Sequence, residues 1–484
     1  MAHLGAILGA LGTVGLLLLP RRVVRLGGLA LLGAAEGLLA AALVPGRDLE
    51  PLVGSPVRIL GVAALAVALL AGAAGLVRFP AAVPVAVLVA APFRVPVHLG
   101  DQKAFLLVPL YAVLSSCTLA LVFRTVSGGQ KRGVSPLLGV PAALFVGLAA
   151  LSLLWSDDLR AGTVELLFFL FPFAVLVAAV AAASPAAWAP RALAATLVGL
   201  ACVFAGIGVS QLWTEDLYFA RDLEVANAYT SYFRTTSLFG DSSVYARELV
   251  LAICVLLAAR FRGRVSLRVA LPLIGLLFAG LYFSYSQSSM VALAVAALAV
   301  GLLAADRRGR LVLLAGTVAV ALAAGAAVAV AAHGHSAQRF TSGRTGLVEN
   351  TARVFARHPL VGVGIGGQPR ASREVKGARK KTERNASHTT PLTVAAELGI
   401  LGLGAYLAFL AGAGALLAAL VRGGGALGLA LAGAFVLLVV HSLTYAGFFE
   451  NPTLWGLLAL ASAALPAGAS LRLAERWQTR SRAR

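Results

Sequence analysis

Four segments of this 484-residue chain concentrate polar and ionisable side chains where an otherwise apolar sequence turns. The first is Arg234-Thr-Thr-Ser-Leu-Phe-Gly-Asp-Ser-Ser-Val-Tyr-Ala-Arg247, which leads straight into an apolar run. Asp241 or Ser242 suits a helix N-cap. Arg234 and Arg247 beside a helix N-terminus could hold an anion; a cap flanked by solvated arginines would use the same residues. The second is Tyr282-Phe-Ser-Tyr-Ser-Gln-Ser-Ser289, where hydroxyls and the amide of Gln287 are denser than a turn requires. The third begins at Ser342-Gly-Arg344 and ends in His358-Pro-Leu-Val-Gly-Val-Gly-Ile-Gly-Gly367. Between them Leu347, Thr351, Val354 and Phe355 share one helical face, with Arg353 and Arg357 away from it, which predicts a helix lying along an interface. The glycine run lacks the preceding strand and βαβ setting of a dinucleotide fingerprint. The fourth is Ser387-His388-Thr-Thr-Pro-Leu-Thr-Val-Ala-Ala-Glu397-Leu-Gly-Ile-Leu-Gly402. It sets a histidine at the mouth of an apolar helix, as a plain interfacial residue or as a proton acceptor.

Other chemistries find little support. His333 and His335 form a loose pair with no carboxylate or cysteine companions, so no metal site is expected. Cys117, Cys202 and Cys254 fall inside apolar runs, as small core residues do. No cofactor motif is present.

The elements that must position these segments are membrane helices. Hydrophobic residues make up 60% of the chain and charged residues 12%, against about a quarter charged in a soluble domain. The mean hydropathy is +0.89. Apolar runs recur at lengths that cross a ~30 Å hydrocarbon core as helices. They predict an all-α, polytopic bundle of about 12–15 spans, the stretches 4–19 and 80–92 being short for a full crossing. A β-barrel would alternate apolar and polar residues over ~10-residue segments, and these runs do not. Leu4–Leu19 is followed by Pro20-Arg21-Arg22 in place of a small-residue cleavage site, so no cleavable signal is expected.

The net charge of +20 would suit a nucleic-acid partner, but most of the basic residues sit in short turns beside apolar runs, where they set orientation. With the tail 472–484 in the cytoplasm, alternation puts Arg21/Arg22/Arg25, Arg124/Lys131/Arg132, Arg260/Arg262/Arg264/Arg268 and Arg307/Arg308/Arg310 on the same side. No nucleic acid is therefore expected. The expected layout is N-terminal helices over 1–212, central helices with an outer loop over 213–332 (the loop being 213–242), a long extracytoplasmic loop over 333–388, C-terminal helices over 389–471, and the tail. The long loop holds eleven lysines and arginines against Glu349, Glu374 and Glu383. Long loops cross regardless of charge, so this one suits either lipid headgroups or a polyanion.

In this order the segments resemble the O-antigen ligase and O-antigen polymerase superfamily of bacterial membrane glycosyltransferases. The resemblance runs from about Arg234 to Pro452. It rests on Arg234 with Ser237-Leu-Phe, the turn Ser286–Ser289, and Arg344 with His358-Pro-Leu-Val-Gly-Val-Gly. It rests further on His388-Thr-Thr-Pro-Leu with Ala396-Glu397-Leu-Gly-Ile-Leu-Gly, and on Gly447-Phe-Phe-Glu-Asn-Pro452. Residues 1–200 match only as membrane helices. The chain departs from the family at Ser286-Gln287, where many members have Ser-Arg, and at His388-Thr389, where many have His-Asn. The resemblance implies a GT-C-like fold in the cytoplasmic (inner) membrane. The implied donor is a polyprenyl-diphosphate-linked glycan, and the acceptor a hydroxyl on a glycan, lipid or wall polymer, without a cofactor. It further implies that His388 is catalytic and that Arg234 and Arg344 hold the diphosphate. Gln287, Arg247 and His358 are further substrate-binding candidates, and Glu397 a structural residue pairing with a loop cation. The competing class is a transporter or flippase of lipid-linked saccharide. Such proteins show repeats and ionisable groups near the membrane midplane, whereas here the polar segments gather at one face.

Overall fold

The computed structural model describes residues 1–19, 21–43, 56–99, 102–129, 132–183, 186–332, 344–377, 387–445 and 447–465. His333, His335, Lys131, the loop cations 379–384 and the tail lie outside the described residues. The chain is a helical bundle, as the apolar runs require. Its helices are α1 (Ala2–Leu18), α2 (Arg22–Leu43), α3 (Pro56–Arg78), α4 (Val83–Ala90), α5 (Val108–Val126) and α6 (Pro136–Ser152). Then come α7 (Leu159–Glu165), which runs through a π turn (Leu166–Leu170) into α8 (Phe171–Ala181), and α9 (Ala189–Thr214), α10 (Arg221–Asn227) and α11 (Ser242–Phe261). The rest are α12 (Leu267–Phe283), α13 (Gln287–Ala304), α14 (Arg307–Ala332), α15 (Arg344–Arg357), α16 (Gln368–Lys376), α17 (Thr390–Arg422), α18 (Ala426–Ser442) and α19 (Pro452–Ala464). Among the described residues nine helices are long and apolar enough to cross a membrane, and five shorter apolar helices accompany them. This is an integral membrane protein.

The sheet among the described residues is one antiparallel hairpin, β1 (Val95–Leu99) with β2 (Gln102–Leu106), in which Val97 pairs with Ala104. It follows α4, whose eight residues rise only about 12 Å. The stretch that was short for a span is therefore a partial crossing that ends in a hairpin.

Small residues let the helices approach closely. A Cβ on Gly12 of α1 would stand 2.8 Å from the carbonyl oxygen of Gly28 on α2, the backbone-to-backbone packing that stabilises helix pairs in lipid. Two of the short basic turns come together at one end of the bundle. Arg25 donates to the Arg132 carbonyl (3.2 Å), Arg132 to the Ala463 carbonyl at the end of α19 (3.1 Å), and the Ser135 amide to the Ser462 hydroxyl (2.7 Å). Helices α6, α8, α17 and α19 meet in an aromatic nucleus. Trp455 is fully buried against Phe409 (5.3 Å between centroids), Phe449 (6.0 Å) and Phe173 (6.5 Å), and donates its indole N–H to the Phe449 carbonyl at 2.9 Å. Phe145 stacks on Phe449 at 3.9 Å. Each such ring pair contributes about 0.5–1.5 kcal/mol beyond area burial. The nucleus fixes the 444–451 loop, which belongs to the site.

Candidate active site

At the end of the bundle opposite the basic turns, helix termini and breaks assemble the four segments. The turn after Arg234 is built by one buried amide. Gln211, near the C-terminus of α9, accepts from the amides of Thr236 (3.0 Å) and Ser237 (2.7 Å) and donates to the Ser237 carbonyl (3.1 Å). Those bonds hold Ser237 in the left-handed region at φ 53°. Asn227 pins the Arg234 backbone from both sides (3.1 Å each). The Arg234 guanidinium lies 5.7 Å from the Tyr232 ring centre, a cation–π distance, and Tyr232 packs against Tyr285 at 4.5 Å. The Thr235 amide donates to the Phe283 carbonyl at 3.1 Å, so the first and second segments are neighbours. Asp241 is the N-cap of α11, accepting from Ser243 (2.7 Å) and Val244 (3.2 Å).

The dense hydroxyls of the second segment serve chiefly the turn. Ser286 caps α13 and its Oγ meets those of Ser288 (3.2 Å) and Ser289 (3.0 Å). Tyr285 stands in the left-handed region at φ 51°. Gln287 is exposed.

The third and fourth segments interlock. Helix α17 breaks at Gly399 (φ 63°, ψ −161°), which frees carbonyls and an amide inside an apolar helix. The strip 359–364 meets them: Val363 donates to Ala396 (3.0 Å), Gly364 to Glu397 (2.8 Å), and Ile400 to Pro359 (2.8 Å). The other edge of the strip is bonded to the elbow between α6 and α7. Ile365 donates to the Ser152 hydroxyl (3.0 Å), the Ser156 hydroxyl to the Ile365 carbonyl (2.8 Å), and the Asp157 amide to Val363 (3.1 Å). Gly364 has φ 84°, and a Cβ there would lie 2.4 Å from the Ser156 Cα. The glycine run is thus a wedge that repairs a broken membrane helix, the condition under which irregular backbone is tolerated at membrane depth. Helix α15 packs over it with Thr351 and Val354 buried and Arg353 and Arg357 exposed, the face expected from the sequence.

Glu397 is buried and accepts from the Gln368 amide at 3.3 Å, with the Gly366 amide also directed at it. Its described partners are thus the backbone at the N-terminus of α16, where a carboxylate also complements the helix dipole; the expected loop cation is not among them.

His388 lies half-buried just before α17, in the left-handed region at φ 54°. The Ser387 hydroxyl accepts from the Thr389 amide at 3.2 Å. The Thr390 hydroxyl donates to the Tyr445 carbonyl at 3.5 Å, which brings the His388 turn to the loop between α18 and α19. There Arg247, His441, Ser442, Tyr445 and Asn451 line a small cavity. Arg247 and His441 are 4% and 2% exposed, and among the described residues Arg247 Nε and His441 Nε2 have no hydrogen-bond partner. Arg247 faces Glu248 at 3.8 Å. Glu450 lies within electrostatic range of Arg94 and Arg247, and Glu165 within range of Glu397 and Glu450. Burial raises the Glu450 carboxyl above the ordinary range, while Arg94 and Arg247 pull it down. Glu165, Glu248 and Glu397 sit within about two turns of helix starts at this same end.

Of the sequence candidates, the structure gathers Arg234, Arg247, the His388 turn and Glu397 at one end. His358 is exposed at the end of α15 and does not line the cavity. Arg344 opens α15, and its side chain lies outside the described residues. Sequence reasoning missed Gln211, Arg94, Glu165, His441 and Tyr445 as site residues. The π turn directly after Glu165, a frequent mark of functional positions, has no sequence signature. Among the described residues no three His, Cys, Asp or Glu side chains are grouped to hold a metal ion.

A large apolar groove adjoins this end. It encloses about 990 Å³ between α4, α8, α9, α11, α12, α18 and α19. One end is lined by Ala91, Pro452 and Thr453, the other by Arg191, Gly263, Arg264 and Gly425. Asn451 of the small cavity directly precedes Pro452 of the groove.

One end of this membrane bundle thus holds a buried arginine, half-buried arginines and a histidine turn beside an apolar groove, groups able to meet an anion and an apolar chain. Residues 272–407 match the family described as O-antigen ligase. This stretch, which carries the wedge, the broken helix and His388, is similar to that family. No curated protein matches the chain.

Proposed function

We propose that the protein transfers or polymerises a polyprenyl-diphosphate-linked glycan onto an acceptor hydroxyl at the extracytoplasmic face, without a metal. The observation that carries this reading is the placing of an apolar groove beside the cavity lined by Arg247, the two being lined by the consecutive residues Pro452 and Asn451. A polyprenyl diphosphate has the same two parts, a long apolar tail and a dianionic head. The gathering of two of the short basic turns at the other end supports the sidedness, since such turns face the cytoplasm.

In the reaction the acceptor oxygen attacks the anomeric carbon and the bond to the diphosphate breaks, its electron pair leaving with the diphosphate. Arg234, Arg247 and Arg344 meet that growing charge by charge-assisted hydrogen bonds. The hydroxyl proton passes to His388. Glu397 holds the wedge, and through it the start of α17, in place. The position of Glu165, Glu248 and Glu397 near one end favours this reading over a transporter, which would need ionisable groups at the midplane.

The test is reconstitution with a lipid-linked glycan, with and without chelator, reading product length and released polyprenyl diphosphate. His388→Ala should slow transfer by about 10²–10⁴-fold with donor binding retained. Transfer at the normal rate by that variant, or loss of activity on chelation, would refute the corresponding part of the mechanism.

A further inference from the structure

A second arginine, from a distant part of the chain, lies within electrostatic range of Arg247. Arg94 stands in the linker between α4 and β1, where Ala91 and Pro92 are buried and Ala91 lines the same end of the groove as Pro452. A row of rings fixes this linker. Phe93 packs edge-on to Phe204 of α9 (6.1 Å), Phe204 edge-on to Phe239 (5.0 Å), and Phe239 against Tyr245 of α11 (6.2 Å). The row ties Arg94 to the turn after Arg234 and to the helix carrying Arg247. Arg94 is half-buried and acts electrostatically on Arg247, Glu248, Tyr445 and Glu450.

Two guanidiniums within range of each other in a poorly solvated site repel. Glu248 and Glu450 offset that repulsion, but not by the bidentate pairing that arginine and carboxylate favour. Arg247 makes one long ion pair, from its Nε to Glu248 at 3.8 Å, and that Nε has no hydrogen-bond partner among the described residues. A pair of cations held this way has donors left for a ligand with two anionic groups, at the point where the apolar groove ends.

We propose that Arg94 and Arg247 form a two-arginine clamp for the diphosphate of a polyprenyl diphosphate, and that Arg94 selects diphosphate over monophosphate. This rests on the function proposed above. It supplies the positive charge that the Ser286-Gln287 turn lacks, from outside the stretch that matches the family. Each phosphoryl group of a diphosphate meets one planar fork, whereas a monophosphate fills only one.

The experiment uses the full chain in nanodiscs of uncharged lipid, with farnesyl diphosphate and farnesyl monophosphate as probes and glycan transfer measured in the same preparation. Wild type should prefer the diphosphate. Arg94→Gln should weaken diphosphate binding by about tenfold or more, the loss expected for a charge-assisted contact, and change monophosphate binding far less. Arg94→Lys retains a counter-charge for Glu450, so it should keep wild-type thermal stability yet lose the preference; this covers the case in which Arg94→Gln does not fold. If Arg94 were only the counter-ion of Glu450, then Arg94→Gln combined with Glu450→Gln would regain the preference, and that result overturns the clamp. Wild-type preference in Arg94→Lys also overturns it, as does a wild type that binds no diphosphate. A wild type that prefers diphosphate through Arg94 but transfers no glycan leaves the clamp standing and removes the proposed function.

Discussion

Gly399→Ala isolates the central architectural claim, that the glycine strip repairs a broken membrane helix. At φ 63° and ψ −161° the residue occupies backbone space that L side chains avoid at a cost of about 1–3 kcal/mol. Its new methyl would stand 2.2 Å from the Leu360 carbonyl oxygen and 2.5 Å from the Val361 amide nitrogen. Both are backbone atoms, so no rotamer change relieves the clash, and overpacking adds about 1–3 kcal/mol. If the strip withdraws instead, the three crossing hydrogen bonds of residues 359–364 go with it, at about 1 kcal/mol each. By either route the local loss is on the order of 3 kcal/mol or more. The wedge, α15 and α16 should then open without the whole bundle unfolding. Limited proteolysis of the full chain in detergent would read this as new cleavage within 344–377, and transfer activity should fall with it. Gly404→Ala is the control: on the same helix, exposed, with nothing within 4 Å of the added methyl, it should stabilise by about 0.5–1 kcal/mol. If Gly399→Ala were as resistant to protease as wild type, the strip would not depend on the break and the reasoning would fail.

Gln211→Leu strands the buried amides of Thr236 and Ser237 at about 1–3 kcal/mol each, so hydrogen exchange at those two amides should rise sharply while distant helices stay protected. Glu397→Ala removes the acceptor at the N-terminus of α16 and should cost about 0.5–2 kcal/mol; Glu397→Gln keeps one acceptor oxygen and should stay near wild type in thermal unfolding. For Glu450, burial holds the folded-state pKa above its unfolded value near ~4.3. The folded state therefore binds more protons between those two values, and stability falls as pH rises through that window. Glu450→Gln should remove this slope, and parallel stability curves for variant and wild type would count against it.

The parts of the fold that were legible in the sequence are those written in short-range signals. Apolar runs of membrane length, basic turns, the Asp241 cap and the buried face of α15 each depend on neighbours within a few residues, and each is found where expected. The His388 turn was visible for the same reason: a polar cluster and a proline mark the mouth of a helix. The parts that were not legible depend on partners far along the chain. The glycine run answers to Ala396 and Glu397, over 30 residues later, and to Ser152 and Ser156, over 200 residues earlier. Nothing within the run says whether it cradles a phosphate or fills a gap in a helix. Gln211 reads as one amide at the end of an apolar span, and its three bonds to the next segment have no local trace.

Arg94 carries that reasoning furthest. In the sequence it is a single arginine in a short polar stretch, indistinguishable from one that sets membrane orientation. Its place follows from the packing of the linker after α4. The eight-residue helix ends beside α9, where Phe93 meets Phe204. The same economy holds across the site. Its charged groups enter at helix starts, at a break and at a partial crossing, because those are the places in an apolar bundle where backbone polar groups are already unpaired. A charge placed there has backbone donors and acceptors at hand, while one placed mid-helix would face only lipid or side chains. The irregularities of this bundle, more than its regular spans, therefore mark where the proposed chemistry is housed.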